Sequence, residues 1–510
     1  FWLRLRTTTQ EDPIDTTLDW VANPVRVVVP SAEPSAAGVW DDLMGFAFCE
    51  RYADVLKQPP PAVAAVLDNW KKATYSADEL DRLRDEFDEY GWRHDGDLPA
   101  DHEARHYRGK TPLVSHFNNQ YDAAYGFYLR YLLTGDVRFG EAAEVLIRHV
   151  ADIDTYDTNE DRSSFCGGLF WMTDHYLSAH TATHRAFSKR NAKKRGYGGG
   201  PSCEHDYTTG AVFTEDGDDV VFRAAEWVMN MEDGAKTPFC LLDAGFTGLA
   251  TATSSLDYHG PGRGAANSIN TLINAWIIAQ WHRDSYREHA ERLIRRTIHP
   301  NADIDAWELL DAERRWSYVM YLNVIARYLY WKRRLHTKDD MYRYAAASLV
   351  HVGRWMLEHE RPFLDRKSEL AYPTEIWAAQ DLRKANAMRA ASLYCDADLC
   401  TRLRKRAAEI ADRAWDDLFS FDTYKNVRTT AVVLVEGLRD ALWRAVESDG
   451  PGPYLEDFGE FGSAPPMFVP QKTRVKRMLK TPAGWLRLAA ALSRPRNVRR
   501  LVQLLRQWRN

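Results

Sequence analysis

Apolar residues recur at intervals of three and four positions along most of the chain after residue 112. This spacing is the period of an α-helix with one buried face, and Gly, Asp or Pro stands where the pattern breaks. Strand-like alternation of apolar and polar residues is nearly absent there. The predicted helices, in chain order, span residues 118–133, 138–150, 170–187, a segment opening near 205, 220–231, 241–255, 266–280, 286–298, 313–334, 341–359, 374–394 and 399–419.

Short breaks between successive helices are typical of antiparallel helical hairpins. Such a series predicts a mainly α fold, specifically an (α/α)6 toroid of helical hairpins with a short N-terminal β segment. In a toroid of this kind, inner and outer helices alternate and the loops at one end of the ring line a cleft. A solenoid of shorter repeats is the alternative, but the chain has no fixed period of repeated residues.

The N-terminal part of the chain differs from this helical series. Residues 20–30 are β-branched and bounded by prolines, which predicts one or two strands. Residues 39–91 follow a helical pattern, and Ser76 followed by Glu79 predicts a capped helix N-terminus. We therefore divide the chain into an extended and helical N-terminal segment (1–110), the toroid as catalytic domain (111–425) and a C-terminal extension (426–510).

Positive charge is concentrated at the end of the chain. The formal net charge of −5 gives no reason to expect nucleic-acid binding by the chain as a whole. Residues 471–510, however, hold 12 Lys and Arg residues and no Asp or Glu. Interleaved Leu and Trp residues predict two short basic amphipathic helices there. Three partners fit them: an anionic membrane surface, an acidic polymer or the acidic remainder of the chain.

Titratable side chains cluster between residues 167 and 210, around a glycine-rich loop. For any one of these residues, a hydrogen-bonded core position or a solvated loop is the simpler interpretation. The whole cluster favours a polar cleft that moves protons, because so many such groups are costly to bury together. The candidate catalytic residues are His175, Tyr176, Glu204, His205 and Tyr207. The candidate substrate-binding residues of this stretch are Trp171, His184 and Arg185.

Other polar stretches fall where loops of a toroid should face its cleft. They add the candidate substrate-binding residues Asn119, His259, Arg263, Asn267, Glu375, Trp377 and Arg383. The glycines on both sides of Arg263 would let the backbone approach a ligand closely. For Arg263 itself, a structural salt bridge is an equally good interpretation.

We expect neither a cofactor nor a metal ion. The six cysteines include no C-x-x-C pair or other metal-ligand spacing, and the glycine-rich loops match no nucleotide-binding fingerprint. His94, His102 and His106 are possible metal ligands. The charge-dense segment that holds them, residues 76–110, favours a solvated helix followed by a surface loop.

Five runs in the chain resemble the helical domain of bacterial proteins grouped with exo-acting rhamnogalacturonan lyases. They are NNQYD (118–122), GGLFWMTDHY…TATHRAFS (167–188), YGGGPSCEHDYTTG (197–210), HGPGRGAANSIN (259–270) and YPTEIWAAQDLRK (372–384). That group joins a β domain to an (α/α)6 toroid, and its members are generally exported. The resemblance, over residues 110–420, implies a secreted or cell-envelope enzyme acting on an acidic polysaccharide. The short N-terminal β region and the basic tail depart from the group's pattern.

Cleavage of a uronate by β-elimination sets three chemical requirements. A cation or amide neutralises the C6 carboxylate, a base takes the C5 proton and an acid protonates the leaving oxygen. We expect His175 or His205 as the base, Tyr176 or Tyr207 as the acid, and Arg263 with Asn267 as the carboxylate clamp.

Two other functions remain open from the sequence. A glycoside hydrolase on the same toroid would use a pair of carboxylates, for which Asp174, Glu204, Glu313 and Glu375 are available. A non-catalytic polysaccharide-binding or envelope-assembly protein would use aromatic platforms and the basic tail.

Overall fold

The computed structural model describes residues 58–87, 89–90, 94–99, 119, 121–155, 166–169, 207–214, 217–232, 238–243, 260–280, 282–446, 450–466 and 468–509. Within these ranges the fold is mainly helical, and Thr155 and Leu169 form an isolated antiparallel β-bridge. The predicted mainly α class is therefore confirmed. The predicted strands at residues 20–30 lie outside the described residues.

The described residues form seventeen α-helices. They are α1 (Pro61–Ala73), α2 (Ala77–Phe87), α3 (Ala123–Thr134), α4 (Val137–His149), α5 (Thr208–Ala211), α6 (Gly217–Glu232), α7 (Arg263–Ile278), α8 (Asp284–Thr297), α9 (Ala312–Arg315), α10 (Tyr318–Arg334), α11 (Asp340–His359), α12 (Glu375–Ser392), α13 (Ala397–Phe419), α14 (Val427–Val446), α15 (Gln471–Met478), α16 (Pro482–Leu492) and α17 (Pro495–Arg509).

Local sequence signals account for several helix starts. Proline at the first position begins α1, where a missing N–H costs no hydrogen bond. The capping box before α2 is present: the Ser76 N–H donates to Glu79 Oε2 at 2.7 Å, and the Glu79 N–H donates to Ser76 Oγ at 3.2 Å. Asp339 and Asp396 accept from backbone N–H groups at the starts of α11 and α13.

The prediction of one continuous helix over residues 313–334 is wrong. The chain forms α9, turns at Trp316 and Ser317, and begins α10 at Tyr318. The Ser317 hydroxyl accepts a hydrogen bond from the backbone N–H of Arg263 at 3.1 Å, so the turn is tied to the start of α7. Apolar periodicity continues across this turn, which is why the sequence alone does not reveal it.

The helices pack in a regular order of neighbours. Six of them form a continuous series of contacts: α3 with α5, α5 with α7, α7 with α10, α10 with α12, α12 with α14, and α14 again with α3. Each of the six also contacts a helix outside this series. These pairs are α3 with α4, α5 with α6, α7 with α8, α10 with α11, α12 with α13 and α14 with α1.

Helix α12 is buried on all sides although it carries many polar residues. Lys384 Nζ lies 3.0 Å from Asp381 and 2.9 Å from Glu360, so one ammonium group faces two buried carboxylates. Burial raises the pKa of Asp381 to about 6, although the neighbouring Lys384 acts to lower it. One turn further, Arg389 Nη1 lies 2.6 Å from Asp440 of α14. Ion pairs therefore join α12 to its neighbours where apolar contacts would otherwise be expected.

The basic tail forms three helices rather than the predicted two, because Pro482 and Pro495 each begin a new helix. Helix α15 is held to the rest of the protein by Arg474, whose Nε lies 2.7 Å from Asp243 Oδ2. Helix α16 leaves Trp485 and Leu486 exposed. None of the helices in the described part of the chain combines the length and apolar character needed to cross a bilayer.

Candidate functional site

A polar cleft lies where the six consecutively contacting helices meet. It has a volume of about 620 Å³, part of it at an open mouth, and we call it the central cleft. Tyr121 precedes α3, and each of the other helices except α5 contributes at least one charged or amide side chain. Those used below are Asn267, Asn270, Arg327, Arg383, Glu436 and Arg439.

The chain leading into α3 has an unusual backbone. Asn119, Tyr121 and Asp122 all have positive φ values, of 46°, 68° and 56°, which L-residues with side chains rarely adopt. Asp122 offsets this cost by accepting from two backbone N–H groups, that of Tyr125 at 3.1 Å and that of Gly210 at 2.9 Å. Strained backbone held by surrounding contacts is concentrated at functional sites. Here it fixes the Tyr121 side chain against the cleft.

Arginines surround the buried Tyr121 side chain. The Arg383 guanidinium lies over its ring, 4.7 Å from the centroid, and Arg428 Nη2 donates to its hydroxyl oxygen at 3.4 Å. Burial acts to raise the pKa of Tyr121, but the positive charges of Arg428, Arg383 and Arg263 outweigh it and lower that pKa below its ordinary value. The arginines therefore favour the tyrosinate form.

Amide side chains form the wall of the cleft on α7. Asn267 and Asn270 lie one turn apart and are both buried. Asn270 Nδ2 donates to Thr209 Oγ1 at 2.8 Å, and its Oδ1 accepts from Arg327 of α10. This fixes the orientation of the Asn270 amide and of the Arg327 guanidinium. The wall therefore places two amide side chains of α7 beside the positive charge of Arg327 on α10.

The two carboxylates in the described lining of the cleft are engaged by other groups. Asp122 caps α3. Glu436 Oε1 lies 3.4 Å from Arg383 Nε and 3.3 Å from Arg439 Nη1, and Glu436 Oε2 accepts from Asn386 at 2.9 Å. Both carboxylates therefore orient cationic or backbone groups, and the three lining arginines outnumber them. The described wall suits an anionic ligand.

A second depression adjoins the central cleft. We call it the aromatic groove; it has a volume of about 530 Å³ and is lined by Glu313, Trp316, Tyr372, Trp377, Gln380 and Arg428. Arg428 connects it to the cleft through its hydrogen bond to Tyr121, and the Trp316 ring meets the Tyr121 ring edge-on at 6.1 Å. Tyr372 is 65% exposed. Exposed aromatic rings beside donors are suited to stacking against sugar rings.

The structure brings several of the predicted site residues together. Arg263, Asn267 and Arg383 lie around Tyr121 or in the central cleft, and Trp377 lies in the aromatic groove. Asn119 lies in the turn before α3, where its Oδ1 accepts from the Ala124 N–H at 3.4 Å.

Two other predicted residues are described but do not line the cleft. Glu375 is buried at the start of α12 and accepts from Asn426 Nδ2 at 2.7 Å, which places it in a contact between helices. Tyr207 is buried just before α5, outside the cleft lining. The remaining predicted site residues lie outside the described part of the chain. These are Trp171, His175, Tyr176, His184, Arg185, Glu204, His205 and His259.

The sequence analysis did not select Tyr121, Arg327 or Arg428. Tyr121 stands two positions after Asn119 in the NNQYD run, so that run marks the right segment but does not single out the tyrosine. Arg327 offers a clearer signal, because it stands between buried apolar and aromatic residues of α10. A charged residue on such a face needs a partner or a ligand.

No protein-family model fits this chain, and no curated protein sequence matches it significantly.

Proposed function

We propose that this protein is a carbohydrate-active enzyme, a polysaccharide lyase that cleaves a uronate-containing polysaccharide by β-elimination. The observation that carries the proposal is Tyr121, a tyrosine with a lowered pKa that lies among Arg263, Arg383 and Arg428 beside a wall of asparagine amides. In its tyrosinate form such a residue can accept a proton, and the surrounding arginines can neutralise a carboxylate. The resemblance to rhamnogalacturonan-lyase-like proteins points to the same chemistry.

We further propose that the helices form an (α/α)6 toroid. The support is the order of contacts, in which α3, α5, α7, α10, α12 and α14 each contact the next and the last contacts the first. Their partners α4, α6, α8, α11, α13 and α1 would form the outer layer. The proposed toroid would include α1 and α14, both of which lie outside the range of 111–425 predicted for it from the sequence.

The residues divide between two roles in this proposal. The tyrosinate form of Tyr121 takes the C5 proton, and the electron pair of the C–H bond forms the C4–C5 double bond as the C4–O bond breaks. The elimination is syn: the leaving oxygen lies on the same face of the sugar as the C5 proton, and Tyr121 passes that proton to it. Arg263, Arg428 and Asn267 bind the C6 carboxylate, which stabilises the negative charge that develops there.

Glycoside hydrolysis is the second candidate and fits the described cleft less well. It needs one carboxylic acid to protonate the leaving oxygen and one carboxylate to act as base or nucleophile. Asp122 and Glu436 are instead bound to backbone N–H groups and arginines. A non-catalytic binding protein would use the aromatic groove, but would have no use for a tyrosine with a lowered pKa.

A substrate panel tests the proposed reaction. The full chain is incubated with acidic and neutral polysaccharides, and ultraviolet absorbance of unsaturated uronates is followed beside a reducing-end assay. We expect absorbance and reducing ends to grow together on an acidic polysaccharide. Reducing ends without the ultraviolet signal would instead establish hydrolysis, and binding with neither signal would establish a non-catalytic role.

For the basic tail, we propose contact with an anionic membrane surface. Helix α16 exposes Trp485 and Leu486, at 60% and 72%, and α17 exposes Val498, Val502 and Leu505 among its arginines. Exposed apolar side chains next to basic ones are typical of helices that lie in a membrane interface. An acidic polymer would need the charges but not the apolar side chains.

Co-sedimentation with vesicles tests the tail. We expect the full chain to bind vesicles that contain phosphatidylserine, and added salt to weaken the binding. The double variant W485A/L486A should bind about tenfold less tightly, because it loses apolar burial in the interface. The matched control Leu455→Ala removes an exposed leucine away from the tail and should bind like the unmodified protein. Equal binding to neutral vesicles, or an unaffected double variant, would contradict the proposal.

A further inference from the structure

A second cluster of titratable groups lies away from the central cleft, where the segment after α2 packs against α4. Glu89, His94 and Asp97 each offer a ligand atom to one point, and these three atoms lie within 4.8 Å of one another. Glu89 and Asp97 are buried, and His94 is half-buried. His94 therefore does not stand on the solvated surface loop that the sequence favoured. His102 and His106 lie outside the described residues.

The end of α4 adds two more potential ligands. His149 Nε2 lies 3.8 Å from Asp97 Oδ2 and 3.8 Å from Asp154 Oδ1, and all three side chains are buried. The other ring nitrogen, Nδ1, lies 3.2 Å from the backbone carbonyl oxygen of Asp95. A carbonyl oxygen only accepts, so Nδ1 donates this hydrogen bond, and the other ring nitrogen, Nε2, faces the two carboxylates. Metal-binding histidines have this arrangement, with the second nitrogen held by a carbonyl or carboxylate.

The backbone is shaped to bring these groups together. Gly96 has a φ of 83°, and a Cβ at this position would lie 2.1 Å from the carbonyl oxygen of Val145, so only glycine allows the segment to approach α4 this closely. After His149 the helix widens into a π-helical turn, Val150–Asp154, which places Asp154 beside the imidazole. π-Helical turns are frequent at functional sites.

We propose that Glu89, His94, Asp97, His149 and Asp154 bind a divalent transition-metal ion, with zinc as the best match. Imidazole nitrogens mixed with carboxylate oxygens suit zinc and its neighbours in the first transition row, whereas calcium and magnesium prefer oxygen ligands throughout. A doubly charged cation among three buried carboxylates offsets most of the electrostatic cost of burying them. The ion would hold the segment after α2 to the end of α4. None of the five residues lines the central cleft, so this site is independent of the proposed lyase activity.

Metal titration of the full chain tests the site. The protein is dialysed against a chelator and titrated with Zn²⁺ by calorimetry, and Co²⁺ is then used as a visible probe. We expect one equivalent of Zn²⁺ to bind and the Tm to rise. Bound Co²⁺ should give visible bands that are stronger than those of the six-coordinate hydrated ion.

Variants identify the ligands. Asp97→Asn and His149→Gln should each weaken Zn²⁺ binding by about 10–100-fold or more. The controls Glu86→Gln, an exposed carboxylate on α2, and His289→Gln, a half-buried histidine on α8, should bind like the unmodified protein. Failure of the unmodified protein to bind Zn²⁺ and Co²⁺ would overturn the proposal, as would undiminished binding by both ligand variants. If a variant does not fold, the cobalt spectrum of the unmodified protein decides.

Discussion

Replacing Tyr121 by phenylalanine is expected to lower kcat/KM for elimination by about 10²–10⁴-fold, the usual contribution of a positioned general base. The substitution removes one oxygen atom and keeps the ring that contacts Arg383 and Trp316. The cleft should therefore keep its shape and still bind substrate. The measurement is the initial rate of ultraviolet growth on the polysaccharide that the panel identifies, with circular dichroism to confirm folding.

The matched control is Tyr344→Phe. Its buried hydroxyl donates to the carbonyl oxygen of Ile298 at 2.5 Å, away from the central cleft, so its loss should leave the rate unchanged. A Tyr121→Phe protein that folds and retains full activity would remove Tyr121 from the mechanism. It would return the role of base to His175 or His205.

The pH profile of the same reaction gives an independent readout. A base acts in its deprotonated form, so the rate should rise with pH as Tyr121 loses its proton and level off above its pKa. Arg428 and Arg383 lower that pKa, so the rise should occur below the ordinary range of a tyrosine. Arg428→Gln removes one of these charges and should shift the rise to higher pH. An unshifted profile would mean that another group is the base.

The helices were predictable from the sequence because helix formation is largely local. Apolar spacing and caps such as Ser76 with Glu79 depend on neighbours a few positions apart, and the structure contains most of the expected helices. The sequence-based prediction of helices fails where a contact with a distant part of the chain determines the local structure. The turn at Ser317 is tied to Arg263, 54 positions away, and no local pattern contains that information.

The candidate site was predictable only in part, for the same reason. Arg263 and Asn267 stand four positions apart on one helix, so their shared face follows from helical geometry. Tyr121 and Arg428 are 307 positions apart, and only the contact of α3 with α14 brings them together. The cluster around His149 depends on Gly96 and on a π-helical turn, neither of which periodicity reveals. A charge-dense segment therefore looked like solvated surface although part of it is buried.

We expect buried ion pairs to stabilise the packing of the polar helices that line the central cleft. The pair between Arg389 of α12 and Asp440 of α14 tests this expectation. Asp440→Asn should lower the free energy of unfolding by about 3–5 kcal/mol, the usual cost of removing one partner of a buried pair. The Asp440 carboxylate accepts from Arg389 at 2.6 Å and from Trp415 Nε1 at 2.9 Å, and all three side chains are buried. An asparagine there leaves the Arg389 guanidinium buried without the carboxylate charge.

Urea unfolding followed by circular dichroism measures this cost. Asp412→Asn is the control, because Asp412 makes an exposed pair with Arg444 at 2.7 Å and should cost about 0–1 kcal/mol. Burial acts to raise the pKa of Asp440, but Arg389 and Arg444 outweigh it and lower that pKa below its ordinary value. The difference in free energy of unfolding between the unmodified protein and Asp440→Asn should therefore be fully present above about pH 4. It should be lost as the pH falls through the lowered pKa that Asp440 has in the folded protein. Equal costs for the two variants at neutral pH would show that this pair does not hold the cleft helices together.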